Sequence, residues 1–245
     1  IEDTAIAQPL ANSTLPSLPI PEDSGIHDIT WLSKSSAIYA TNSGLLKFFS
    51  NGQNSTIKLP EGVGEDDFEI GSRPPNYAAN SQGQIAVIYE EKLFVYSSPQ
   101  DSPRQIEGVY SNSSRLSLSD LGTIAHITLP LINPDNVEAL PGRTNKLTIV
   151  SLETGSVTRT LVTDEFVPLA MQWSDNNRLL VSFDAGLYLL DEDQLLKVAP
   201  FSSQLRVSLR WVNNEVAVSS TGNKLWVHNI ETRESYLLAR LPQQA

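Results

Sequence analysis

The sequence has no cysteine, a single methionine (Met171), three histidines and no unbroken apolar run of membrane-spanning length. Without cysteine there are no disulfides, no thiolate metal sites and no cysteine nucleophile, an economy that fits either side of a membrane. Without about 18 consecutive apolar residues there is no helical membrane span. Basic residues are also scarce: 17 Lys and Arg stand against 28 Asp and Glu, for a formal charge of −11. So acidic a chain lacks the Lys/Arg-rich face that a nucleic-acid partner requires. It also has no attraction for an anionic membrane surface; solubility or a basic partner explains the charge better. No G-x-S-x-G, H-E-x-x-H, P-loop or G-x-G-x-x-G occurs, so the hydrolase, metalloprotease and nucleotide-binding signatures are missing. Helical periodicity is missing too, with no convincing segment of ten or more residues.

What the sequence does contain is one unit written five times. "KLTIVSLETGSVTRTL" from Lys146 and "KLWVHNIETRESYLLA" from Lys224 share Lys-Leu and Glu-Thr in the same order. Related segments begin at Gly44, Lys92 and Gly186, each an apolar run, a polar turn and a second run. That is the pattern of a hairpin. A second hairpin precedes each one, as in "ITWLSKSSAIYATN" (29–42), "AMQWSDNNRLLVSFD" (170–184) and "SLRWVNNEVAVSST" (208–221). Trp31, Trp173 and Trp211 fall at one equivalent position just before its turn. Four strands recurring every ~40 residues predict propeller blades, because a lone four-stranded blade cannot bury both faces. The expected fold is all-β: a β-propeller of five four-stranded blades.

These segments resemble the WD40-like repeats of the TolB type, in which a Trp-Ser turn precedes an apolar strand and a second hairpin. "MQWSDNNRLLVSFDAGLYLLDEDQ" carries the likeness most fully. The resemblance spans 26–241 as five repeats and implies fold rather than function. Gly-His near a blade start, Trp-Asp at a blade end and Pro-Asp-Gly in the first turn are all lacking, so the Trp-Asp type of hydrogen-bond network is not implied. Residues 1–25, with four prolines, read as a spacer before the folded body, and 242–245 as a short tail. With Ile1 first and the only methionine at 171, the chain reads as a processed or truncated product. An exported, extracytoplasmic protein (periplasmic or secreted) is the expectation.

Two connections break the regular pattern. "PEGVGEDDFEIGSRPP" (60–75) links the first blade to the second, and "PLINPDNVEALPGRTN" (130–145) joins the second and third strands of the third blade. By strand order both emerge on one face of the ring, where "VTDEFVPL" also lies. Long loops in a compact domain are disproportionately functional. The candidate binding residues are therefore Glu65, Asp66, Asp67, Phe68 and Glu69 in the first loop. Ile132, Asp135, Glu138 and Leu140 follow in the second, and Asp164 and Glu165 in the third connection. The acidic cluster has three readings: a solvated loop, a dock for a basic patch, or oxygen ligands to Ca²⁺. No D-x-D-x-D-G-like spacing supports calcium, and no other cofactor is called for. Phe68, Ile132 and Leu140 are apolar anchors of the kind an interface uses.

Catalytic groups are thin. His27, His126 and His228 occupy non-equivalent positions in separate repeats, and a structural role suits His126 and His228, which fall inside strands. Asp28, Asp120, Asp184 and Asp191 are scattered carboxylates with no local pattern, and "DED" at 191–193 reads as surface charge in an outer turn. The expectation is a non-catalytic protein-interaction module: a scaffold, sensor or inhibitor domain. The alternatives are a propeller hydrolase or lyase with a metal or carboxylate site at the central channel, and a structural domain of a larger membrane-anchored chain.

Overall fold

The second strand of each repeat is apolar on successive residues, and only a strand packed between two other sheets can bury both its faces. The computed structural model describes residues 26–61, 76–89, 92–110, 115–128, 145–163, 168–183, 185–200 and 207–240. Blade 1 comprises β1 (Ile26–Ser33), β2 (Ser36–Thr41), β3 (Leu46–Ser50) and β4 (Gln53–Thr56). Blade 2 comprises β5 (Asn76–Ala79), β6 (Ile85–Tyr89), β7 (Lys92–Tyr96) and β8 (Arg104–Tyr110). Blade 3 has β9 (Arg115–Leu118), β10 (Thr123–Thr128), β11 (Asn145–Ser151) and β12 (Val157–Thr163). Blade 4 has β13 (Pro168–Trp173), β14 (Leu179–Phe183), β15 (Gly186–Asp191) and β16 (Gln194–Ala199). Blade 5 has β17 (Val207–Trp211), β18 (Val216–Thr221), β19 (Lys224–Asn229) and β20 (Glu234–Arg240).

Each blade is an antiparallel meander of four consecutive strands, and among the described residues no sheet mixes strands from the two ends of the chain. The five sheets form a five-bladed β-propeller, with no helix among the described residues. The repeat and its register are as the sequence implies. Trp31, Trp173 and Trp211 pair with Ala37, Leu179 and Ala217, each six residues on, and both Glu-Thr pairs fall in outer-hairpin turns.

The turn after the first strand has a local cause. Asn80, Ser119 and Ser174 each use a side-chain oxygen to accept the backbone N–H four residues on, from Gln84, Thr123 and Arg178, all at 3.0 Å. Gly83, Gly122 and Asn177 fill the position just before that N–H, and all three have positive φ. Glycine takes this left-handed conformation without steric cost, and Asn tolerates it better than other side chains do.

Packing between blades follows strand parity. Ile38 and Ala40 of β2 face blade 2 and meet Ile85 and Val87 of β6. On the other face of β6, Ala86 meets Ile124 of β10. Further round, Ala125 and Ile127 meet Leu179, Val181 and Phe183, while Leu180 meets Leu209 and Ala217. Four apolar clusters thus cement the four consecutive blade pairs. Burying one such side chain is worth roughly 1.5–3 kcal/mol, so these clusters dominate the fold's stability.

The seam between blade 5 and blade 1 is built differently. Val216, Val218, Leu225 and Val227 on the outward face of blade 5 are only half-buried, whereas Ile38, Ala86, Ala125 and Leu180 at equivalent faces are fully buried. No comparable apolar cluster spans this seam among the described residues.

Candidate functional site

All five inner strands converge on a central cavity of about 460 Å³. Its wall includes Thr30, Asn80, Ser119, Asp120, Asp175 and Arg210, one or more from every blade. Several belong to the turns after the first strands, so the cavity lies toward that end of the ring. A 40-residue repeat places these turns side by side, which is why small polar residues dominate the wall.

Those polar groups largely bind one another across blade boundaries. The Asn80 amide Nδ2 donates to the Ser119 carbonyl at 3.0 Å, and the Ser81 N–H donates to Asp120 Oδ1 at 2.9 Å. Gln82 Nε2 donates to the Asp120 carbonyl, also at 2.9 Å. Between blades 4 and 5, the Trp211 N–H and its indole N–H donate to the Gln172 side-chain and main-chain oxygens, at 2.9 and 3.1 Å. Tyr77 of blade 2 donates its hydroxyl to the Ile38 carbonyl at 3.1 Å, and burial raises its pKa far above the ordinary tyrosine value. Neither Asn80 nor Gln172 stands out in the sequence; the only signal is the Ser/Asn-rich turn repeated from blade to blade.

A second cavity, about 400 Å³, lies between blades 3 and 4 beside Arg159, Trp173, Asn177 and Arg178. Both guanidiniums are engaged. Arg159 reaches the Glu192 carbonyl and pairs with Asp193, while Arg178 pairs with Glu231 at 2.6 Å and stacks over Trp211. Asp193 of the 191–193 acidic run is thus an inter-blade tether as well as surface charge.

Neither His126 nor His228 lines either cavity. His126 is buried with no partner for either ring nitrogen, and burial lowers its pKa to about 4. His228 is held at 2.8 Å by both Ser219 Oγ and Ser235 Oγ, and burial again lowers its pKa to about 4. The Ser219–His228 pair has the spacing of a nucleophile and its base. However, its third member is a hydroxyl rather than a carboxylate, and neither residue lines either of these two cavities. Among the described residues no group of three or more His, Cys, Asp or Glu is placed to hold a metal ion.

The expected binding residues, Glu65 to Glu69, Ile132, Asp135, Glu138, Leu140, Asp164 and Glu165, all lie outside the described residues. Their flanking strands are described. β4 ends at Thr56 and β5 begins at Asn76; β10 ends at Thr128 and β11 begins at Asn145; β12 ends at Thr163 and β13 begins at Pro168. In an up-and-down meander these three gaps belong to one end of the ring, opposite the turns that line the central cavity.

No family model and no curated protein matches the sequence. Solved structures do match the fold. The WD40 propeller domain of Doa1 is 13% identical, with a TM-score of 0.60 over 91% of this chain and 71% of that one. Ycf48 bound to D1 peptide is 11% identical, with a TM-score of 0.57 over 88% and 66%. A gluconolactonase-like propeller is 16% identical, with a TM-score of 0.56 over 91% and 84%. The likeness to WD40 propellers implied by the repeats is therefore real at the level of fold.

Proposed function

We propose that this propeller is a non-catalytic protein-interaction module, acting outside the cytoplasm, which docks a partner on the end carrying the loops 60–75 and 130–145 and the connection 162–169. The carrying observation is topological: the two longest connections between strands, β4 to β5 and β10 to β11, leave adjacent blades at the same end of the ring. Asp66, Asp67 and their acidic neighbours would meet a basic patch, with Phe68, Ile132 and Leu140 as apolar anchors. The wall of the central cavity supports the same reading, since many of its polar atoms are spent on inter-blade hydrogen bonds. Among the similar structures, one is a WD40 domain and another holds a peptide.

The test is affinity capture from native extract, followed by calorimetry with the recovered partner. Reversing Asp66 and Asp67 to Lys and deleting 134–141 should each weaken the complex at least about tenfold, the loss of one interface hot spot. Undiminished affinity in both variants overturns the assignment of this face.

A propeller hydrolase or lyase is the second reading. Asp120 and Asp175, from adjacent blades, both line the central cavity, and one similar structure is gluconolactonase-like. Calcium titration and a panel of lactones decide it. Turnover that disappears in Asp175→Asn would favour the enzyme.

A further inference from the structure

β20 is the outermost strand of blade 5, and among the described residues it is hydrogen-bonded on one side only, to β19. Its sequence, Glu-Ser-Tyr-Leu-Leu-Ala-Arg, leaves Tyr236, Leu237 and Leu238 at 58%, 41% and 62% exposure. Among the described residues, no other outer strand shows three consecutive exposed large apolar residues; β4, for example, is wholly polar. At a bulge, Leu237 and Ala239 pair with Trp226 and Leu225, and Leu238 has no partner on β19. Natural edge strands are normally blunted by Lys, Pro, inward charges or bulges. Between its two ends β20 carries the bulge and none of the others.

The ends are charged and opposite in sign. Glu234 accepts the Tyr236 hydroxyl at 2.8 Å, and neither Glu234 nor Arg240 is in an ion pair among the described residues. Seven residues with Glu first, Arg last and apolar residues at the centre are self-complementary when run antiparallel. Centred on Leu237, such a pair sets Glu234 opposite Arg240 of the second strand, twice. It also sets Tyr236 opposite Leu238, twice, and Leu237 opposite itself. Aromatic–aliphatic and opposite-charge cross-strand pairs each stabilise a sheet, and a two-fold axis makes every contact off the axis occur twice.

We propose that β20 is a homodimerisation edge, pairing antiparallel with β20 of a second copy of this chain to join two blade-5 sheets into one eight-stranded sheet. A single strand pair is at the small end of interface sizes, so monomer and dimer should exchange in the micromolar range. The contact uses the side of the ring and leaves the long-connection end free, so it stands independently of the proposed function.

Sedimentation velocity over a wide concentration series tests it. The wild type should shift from monomer to dimer, and Leu237→Lys should stay monomeric throughout. Glu234→Arg and Arg240→Glu should each weaken the dimer about tenfold, by setting like charges opposite each other. The double exchange E234R/R240E should restore it, and that restoration also answers any failure of a single variant to fold. A monomeric wild type at every concentration, a dimer unaffected by Leu237→Lys, or a double exchange no better than the singles would each overturn the proposal.

Discussion

Trp211 and Gln172, 39 residues apart, hold each other by two hydrogen bonds across a blade boundary: backbone N–H to amide oxygen at 2.9 Å and indole N–H to carbonyl at 3.1 Å. Gln172→Ala removes the first acceptor and strands a part-buried amide. A donor left without a partner costs about 1–3 kcal/mol. Urea unfolding of this variant should show that loss with an unchanged m-value. No loss would mean that water replaces the glutamine.

Asn80 makes a sharper case. Its oxygen accepts from Gln82 and Gln84, and its nitrogen donates to Gln84 Oε1 at 2.7 Å and to the Ser119 carbonyl at 3.0 Å. Asn80→Asp keeps the shape, deletes both donors and turns a buried carboxylate toward two oxygens. The expected cost is roughly 3–5 kcal/mol at neutral pH, as for an uncompensated buried charge. The loss should shrink as the pH falls and the carboxyl protonates. A variant equally destabilised at pH 4 and pH 7 would contradict this.

Gly186 opens β15 with φ 154°, and a Cβ there would lie 2.6 Å from the Ala199 carbonyl oxygen and 2.9 Å from Lys197 Cε. The lysine can move; the carbonyl belongs to the paired strand β16 and cannot move without disturbing the ladder. Gly186→Ala should therefore destabilise by about 1–3 kcal/mol, the usual cost of overpacking. For a chain of this size that lowers Tm by roughly 2–4 °C per kcal/mol. Calorimetry showing no change would mean the strand pair relaxes freely.

Acid should loosen the protein through its two buried histidines. Both have folded pKa values near 4, below the ordinary 6.5, because burial disfavours the charged ring. Above pH 6.5 both are neutral whether folded or unfolded, and they do not affect stability. As the pH falls from 6.5 to 4, the unfolded chain takes up protons that the folded one refuses, so stability declines. A shift of this size corresponds to roughly 3 kcal/mol per histidine at the acid end. His126→Leu should flatten the pH profile between 6.5 and 4, and an unaltered slope would dismiss His126 as a contributor.

The blades are legible in the sequence because each is local. A short apolar run, a Ser or Asn before the turn and a spacing near forty residues are properties of one repeat, and β14 and β18 fall where that pattern puts them. What escapes reading is what happens between repeats. The three equivalent tryptophans make the point. Trp31 is 45% exposed, Trp173 has a buried indole N–H without a partner, and Trp211 is bonded to Gln172. One residue type at one repeat position has three environments, each decided by the neighbouring blade. The central cavity arises the same way, from residues roughly forty positions apart that share no motif. The acidic loop residues stand out for a different reason: they interrupt the repeat.

Among the described residues each sheet consists of four consecutive strands, and no shared ladder clasps the first blade to the last. Pulled apart from its two termini, the ring should part first at the blade 5–blade 1 junction, the one blade boundary that none of the four apolar clusters spans among the described residues. The remaining sheets should then come away one after another, giving a sawtooth force trace in place of a single rupture.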